Sequence, residues 1–186
     1  MLEPNAAAVP ELTVSVRQLA NRPGTSRQLT VNFDAAEAIG TEVIGVPEGQ
    51  PVSLELLLES VLEGVLATGT VRSTARGECG RCLEELSVPT EVTFQELFEF
   101  SEPARAGEAP AEDQLMVIDD TIDLTVPVRD AIVLSLPFRP LCREDCAGLC
   151  PQCGARLADE PGHAHRTVDP RWAALQDLLE DEREEI

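Results

Sequence analysis

Residues 53–77, SLELLLESVLEGVLATGTVRSTARG, decide the fold class. Leu54, Leu56 and Leu58 oppose Glu55 and Glu59, a two-residue period that suits a strand with one buried face. A helix over residues 53–63 competes, because Leu and Glu favour helices. The Val and Thr that follow, punctuated by Gly64 and Gly69, favour a second strand instead, and the whole stretch is read as sheet.

Working outward, Leu12, Val14 and Val16 alternate with polar residues, as do Leu29, Val31 and Phe33 after the turn-rich segment NRPGTS. Beyond Cys82, Val88, Val92, Phe94, Phe98 and Phe100 share one side of a two-residue repeat, and Glu91, Thr93, Gln95 and Glu99 share the other. Glu96 and Leu97 are out of phase. Residues 101–113 mix Pro, Gly, Ala and acids without a period, which predicts a mobile loop. MVID, residues 116–119, reads as a short strand. Thr125 then reads as the N-cap of a helix carrying Val128, Ile132, Val133 and Leu136, with Pro127 in its first turn where a missing N–H costs little.

A last helix is expected from Asp169-Pro170, with Trp172, Leu175, Leu178 and Leu179 on one face. Its acidic ending sits where the helix dipole disfavours acids, which predicts a frayed, solvated tail, with docking of a basic partner as the sharper alternative. The expected class is α+β: mainly antiparallel sheet or a partial barrel, a few helices, and a zinc-ribbon-like C-terminal segment. Three parts are expected: a β-rich domain over 1–140, a Cys/His metal-binding segment over 141–168, and the helix with its tail over 169–186.

The chain has 186 residues, and 34 acids against 14 bases give a net charge of −20. Every base is an arginine. Such a charge repels phosphate wherever salt does not screen it, which excludes a broad basic face coating nucleic acid. With aromatics at only 3%, stacking platforms for single-stranded bases are poorly supplied as well. The apolar stretch around Leu56 and Leu66 is broken by Glu59 and Glu63, and no run reaches the ~18 residues that a membrane span needs. MLEPNAAAVPEL lacks the basic opening of a secretory signal, so the expected location is cytoplasmic.

Six cysteines fall in three close pairs: Cys79 with Cys82, Cys142 with Cys146, and Cys150 with Cys153. In a reducing compartment this spacing argues for metal rather than disulfides, since C-x2-C places two thiolates on one zinc ion. Gly80 and Gly154 each adjoin a cysteine, where a tight knuckle needs an unusual φ or a close backbone approach to sulfur. His163 and His165 add two borderline ligands. The preferred partition is Cys79, Cys82, Cys142 and Cys146 for one tetrahedral site and Cys150, Cys153, His163 and His165 for the other. Should the histidines be an ordinary surface pair, Cys142, Cys146, Cys150 and Cys153 form a single site.

Sites filled by four side chains leave no position for an activated water, so one or two structural zinc ions and no enzymatic activity are expected. The chain lacks G-x-S-x-G, P-loop, H-E-x-x-H and dinucleotide-binding patterns. Asp119 and Asp120 are better explained as turn residues than as a catalytic pair. Arg72, Arg76, Arg81, Arg139, Arg143 and Arg156 cluster in sequence about the cysteines, either as a contact patch or to offset thiolate charge.

CGRCL with the alternating strand after it, then TIDLTVPVRDAIVLSLPFRPLCREDCAGLCPQCGARL, then DPRWAALQDLL, together resemble the YceD family of bacterial large ribosomal RNA subunit accumulation proteins. The resemblance covers roughly residues 65–180. Members commonly carry C-x-C where this chain has His163-Ala164-His165, a change that keeps metal-ligand chemistry. The resemblance implies a non-enzymatic factor needed for 23S ribosomal RNA to accumulate. Given the charge, the expected partner is a basic ribosomal protein or an assembling large-subunit particle, with weak direct RNA binding at most and no small-molecule substrate. A general zinc-ribbon interaction module linked to transcription, and a thiol redox sensor, are the competing readings.

Overall fold

The computed structural model describes residues 12–19, 22–100 and 114–165. Among these are β1 (Thr13–Ser15), β2 (Ser26–Asp34), β3 (Ile39–Gly40), β4 (Ile44–Val46), β5 (Pro51–Ser60), β6 (Gly64–Glu78), β7 (Glu85–Phe100), β8 (Met116–Val117), β9 (Thr121–Asp123) and α1 (Thr125–Ser135). The leucine-glutamate alternation resolves as strand: Val52, Leu54, Leu56 and Leu58 are buried and Glu55 is exposed. Propensity loses here because the two-residue period buries every apolar side chain on a sheet face, which a helix would scatter around its circumference.

The long β6 is the spine. One of its edges pairs with β5, from Ser53 opposite Arg72 to Ser60 opposite Val65, and farther along with β4 at Arg76 and Gly77. Its other edge pairs antiparallel with β7 along its whole length, from Gly64 opposite Glu99 to Glu78 opposite Glu85. β2 extends the sheet beyond β5, β3 extends it beyond β4, and β8 joins β7 in parallel. The result is a mostly antiparallel sheet curled into a half-barrel, with α1 packed against β7, β3 and β6. The expected mobile loop at 101–113 and the expected helix at 169–186 lie outside the described residues.

Side-chain size along β6 matches its neighbours. Val65, Ala67, Val71 and Ala75 face the core, and Gly69 stands where a Cβ would meet the ring of Phe94. Opposite them Phe98 is fully buried, and Val88, Val92 and Phe94 are half-buried. Each large apolar side chain so buried contributes about 1.5–3 kcal/mol relative to exposure.

A second, two-stranded sheet pairs β1 with β9, Val14 lying opposite Ile122. The turn before β9 holds Asp119 and Asp120 at φ 50° and 59°, a left-handed pair suited to short polar side chains. Thr125 is not the N-cap. Leu124 holds that position, the Thr125 N–H donates to Asp123 Oδ1 at 2.8 Å, and the Thr125 hydroxyl accepts from the Leu12 N–H at 3.1 Å. The reason is tertiary: the buried Leu12 N–H needs an acceptor, and the hydroxyl supplies it.

The chain divides into two compact units, residues 1–144 and 145–186. Within the second, the described residues hold one antiparallel bridge, Leu149 to Arg156, extended by a hydrogen bond from the Leu157 N–H to the Gly148 carbonyl at 3.0 Å. The expected zinc-ribbon-like segment therefore shows no strand among its described residues.

Gly64 is the tightest point of the main ladder, because a Cβ there would overlap the Phe98 carbonyl across the strand pair. Gly64→Ala should cost about 1–3 kcal/mol, the range for forced overpacking. A chemical-denaturation midpoint equal to that of the parent chain would show that β7 yields at no cost.

Candidate metal centre

The β6–β7 hairpin reverses direction over residues 79–84, and that turn carries the first C-x2-C pair. The Cys79 N–H donates to the Glu84 carbonyl at 2.8 Å and the Leu83 N–H to the Cys79 carbonyl at 2.9 Å. Leu83 closes the turn in the left-handed region at φ 59°. The Gly80 N–H donates to the Pro140 carbonyl at 2.8 Å, which ties the turn to the chain leaving α1. Arg81 adds a bond from its guanidinium to the Glu144 carbonyl at 3.3 Å. These ties deliver Cys142, whose Sγ lies 3.7 Å from that of Cys82.

The second C-x2-C pair repeats the first bond for bond. The Cys150 N–H donates to the Ala155 carbonyl and the Gly154 N–H to the Cys150 carbonyl, both at 2.8 Å, and Gly154 has φ 74°. In both turns the left-handed residue stands four positions after the first cysteine. Of the unusual φ or close backbone approach expected at these glycines, Gly154 shows the positive φ, whereas the Gly80 N–H goes to the Pro140 carbonyl and the left-handed position of the first turn is Leu83.

Two groups of donors result: Cys79, Cys82, Cys142 and Cys146, and Cys150, Cys153, His163 and His165, the ligand atoms in each lying within 4.8 Å of one another. None of the six cysteines is in a disulfide. In the second group His163 Nε2 lies 3.3 Å from Cys153 Sγ and 2.9 Å from His165 Nε2, and His165 Nε2 lies 3.2 Å from the same sulfur.

The turns also favour thiolate. Burial of Cys79 disfavours its ionised form, but N–H groups of Cys142, Cys82 and Arg81 directed at its sulfur outweigh this and lower its pKa to about 6. N–H groups of Gln152 and Cys153 lead the same effect at Cys150, also to about 6. His163 is raised, chiefly by its contact with Cys150 and next by Glu160. A cluster of ionisable sulfurs and imidazoles is the donor set of a borderline-soft ion.

Glu160, absent from the sequence-predicted set, accepts from His163 Nδ1–H at 2.6 Å. Its signal was legible in Glu160-Pro161-Gly162-His163, a turn sequence that brings its end residues together. The arginine cluster is less available than its sequence suggests. Arg72 bridges Glu55 at 2.6 Å and Glu91 at 3.0 Å on the outer sheet face, and Arg156 lies 3.9 Å from Asp159.

Fold and site together define a β-rich protein with paired Cys/His knuckles. The sequence profile of the family described as "Large ribosomal RNA subunit accumulation protein YceD" matches residues 67–179, and the chain belongs to that family. The uncharacterized protein Rv2926c of Mycobacterium tuberculosis is 45% identical over 176 residues, 94% of this chain and 84% of that protein. The uncharacterized protein ML1660 of Mycobacterium leprae is 40% identical over 166 residues, covering 88% and 76%. The uncharacterized protein YlbN of Bacillus subtilis is 35% identical over 109 residues, covering 57% and 61%. No solved structure matches the chain.

Two outcomes follow from the knuckle geometry. Leu83→Gly should stabilise the protein by up to about 1 kcal/mol, since a left-handed non-glycine residue costs roughly 1–2 kcal/mol and glycine returns part of that gain as chain entropy. Leu83 is 61% exposed, so little burial is lost. A lower melting point for that variant would contradict the account. In metal-free protein, ultraviolet thiolate absorbance should rise in a step near pH 6 ahead of the ordinary thiol step at ~8.5. A folded pKa depressed below that of an ordinary thiol stabilises the fold at high pH, and that stability is lost as pH falls through about 6. A single step at ~8.5 would remove the proposed cause.

Proposed function

We propose that this chain is a non-enzymatic, zinc-binding cytoplasmic factor that supports accumulation of 23S ribosomal RNA and assembly of the large ribosomal subunit. The observation that carries the metal part is the gathering of eight thiol and imidazole donors into two four-donor groups. Family membership carries the ribosomal part, since the family's description names large ribosomal RNA subunit accumulation. Four protein donors per group fit a closed tetrahedral ion, which contributes to folding and offers no position for a substrate.

The donor set suits zinc over harder ions such as Mg²⁺ or Ca²⁺, which take oxygen ligands. The first ion would fasten the tip of the β6–β7 hairpin to the segment after α1, joining parts of the chain far apart in sequence. The net charge of −20 favours a basic ribosomal protein or a precursor particle as partner over bare RNA. A thiol redox role is the second reading, favoured by the depressed pKa values of Cys79 and Cys150. Reversible zinc release on mild oxidation at cellular peroxide levels would support it.

Purified protein should carry one to two zinc ions, and chelation should unfold it at least in part, because structural zinc contributes on the order of 10 kcal/mol in small sites. Cys82→Ser and Cys142→Ser should each lose zinc and lower mature 23S rRNA in cells where the variant replaces the normal gene. Normal rRNA levels with a zinc-free variant would refute the link between metal and function. Binding to bare 23S fragments should be weak and vanish with modest salt; tight, salt-resistant binding would move the contact from protein to RNA.

A further inference from the structure

The second donor group contains a carboxylate that a simple count of ligands leaves out. Residues 160–163 form a β-turn closed by a hydrogen bond from the His163 N–H to the Glu160 carbonyl at 3.0 Å, with Pro161 second and Gly162 third at φ 92°. That arrangement, proline followed by a left-handed glycine, is the one a type II turn requires. It brings the two end side chains together, and Glu160 Oε2 meets His163 Nδ1 at 2.6 Å. His163 is mostly buried, its side chain only 15% exposed, while Glu160 is 59% exposed. A hydrogen bond to a carboxylate this exposed contributes little stability by itself.

Its consequence is directional. An ionised carboxylate only accepts hydrogen bonds, so Nδ1 carries the proton and the lone pair of the neutral ring is left on Nε2. That is the atom facing Cys153 Sγ at 3.3 Å and His165 Nε2 at 2.9 Å. His165 turns its own Nε2 toward the same sulfur at 3.2 Å, and the two rings stand edge to face at 78°. Two imidazole nitrogens and a sulfur converge at hydrogen-bonding separations, and a shared cation can take a lone pair from all three at once.

We propose that Glu160 is a positioning residue for a zinc ion held by Cys150, Cys153, His163 and His165, fixing His163 in the tautomer that ligates through Nε2, with His165 ligating through Nε2 as well. This rests on the metal reading given above and adds to it the ligating atoms and a fifth residue. Carboxylates placed behind a ligating imidazole orient the ring and raise its basicity, and their loss weakens metal binding by about 10- to 100-fold. Glutamine at this position can still accept from Nδ1–H through its amide oxygen but lacks the charge, so it should fall between glutamate and alanine.

The test uses the full chain, zinc alone as the probe, and the variants Glu160→Ala and Glu160→Gln. Nitrogen-15 chemical shifts of the imidazole rings report tautomer and ligating atom directly, and chelator competition followed through those same ring signals reports affinity at this group. The expected result is Nδ1–H with zinc on Nε2 in the parent chain. Glu160→Ala should weaken zinc by about 10- to 100-fold and leave metal-free His163 in mixed tautomers, with a smaller loss in Glu160→Gln. Zinc at the Cys79 group should not change, a control that separates positioning from general damage to the fold. Zinc on Nδ1 of His163, or affinity unchanged in both variants of a protein that holds two zinc ions, would overturn the role of Glu160 and leave the metal reading intact. No zinc on the ring nitrogens of the parent chain would overturn both.

Discussion

The backbone ladder between β6 and β7 is the constraint on which the rest depends. Its register runs unbroken from Gly64 opposite Glu99 to Glu78 opposite Glu85, so the side chains of both strands alternate in phase for the full length. A slip of one residue would turn Val65, Ala67 and Val71 to solvent and bring Arg72 and Thr70 into the core. The same ladder places the first cysteine pair, because the strands stop at Glu78 and Glu85 and leave only the knuckle between them. Fold and site are thus continuous: the hairpin that organises the core ends in the turn that presents Cys79 and Cys82.

That turn and the one at Cys150 solve one geometric problem with different residues. Both point N–H groups at a sulfur and close with a left-handed residue four positions on. Glycine at the second turn adopts this conformation freely, whereas leucine at the first is held there by the hairpin and by the bond from Gly80 to Pro140. A position that a strand pair over-determines tolerates the wrong residue; a turn within a short irregular segment has less to hold it. Directed N–H groups also make thiolate accessible at neutral pH, which lowers the proton cost of binding a cation.

Electrostatics restrict where partners can bind. The outer sheet face carries Glu55, Glu91 and other acids, and its Arg72 is already bracketed by two of them. Because the pairing is exposed, its contribution to stability is small, but it removes a cation from the patch that the sequence suggested. The net charge of −20 disfavours contact with phosphate wherever salt does not screen it.

Much of this was legible along the chain. The periods of residues 53–77 and 88–100 determined strands by themselves, since each buries one face only as sheet, and the cysteine spacing named the candidate ligands because C-x2-C geometry is local. The strands β3, β4 and β9 were not legible: two or three residues carry no period, and they exist as strands only through the partners that the fold supplies. Thr125 looked like a cap in sequence and became an acceptor for Leu12, 113 positions away, because a buried N–H must be satisfied wherever the fold leaves it. Glu160 beside His163 was written in a Pro-Gly turn, yet its value depended on the rings and sulfurs that only folding collects around them. Sequence determined which groups have the right chemistry; tertiary structure decided which of their atoms face one another, because distances between remote residues are set by strand register and turn closure and by nothing local.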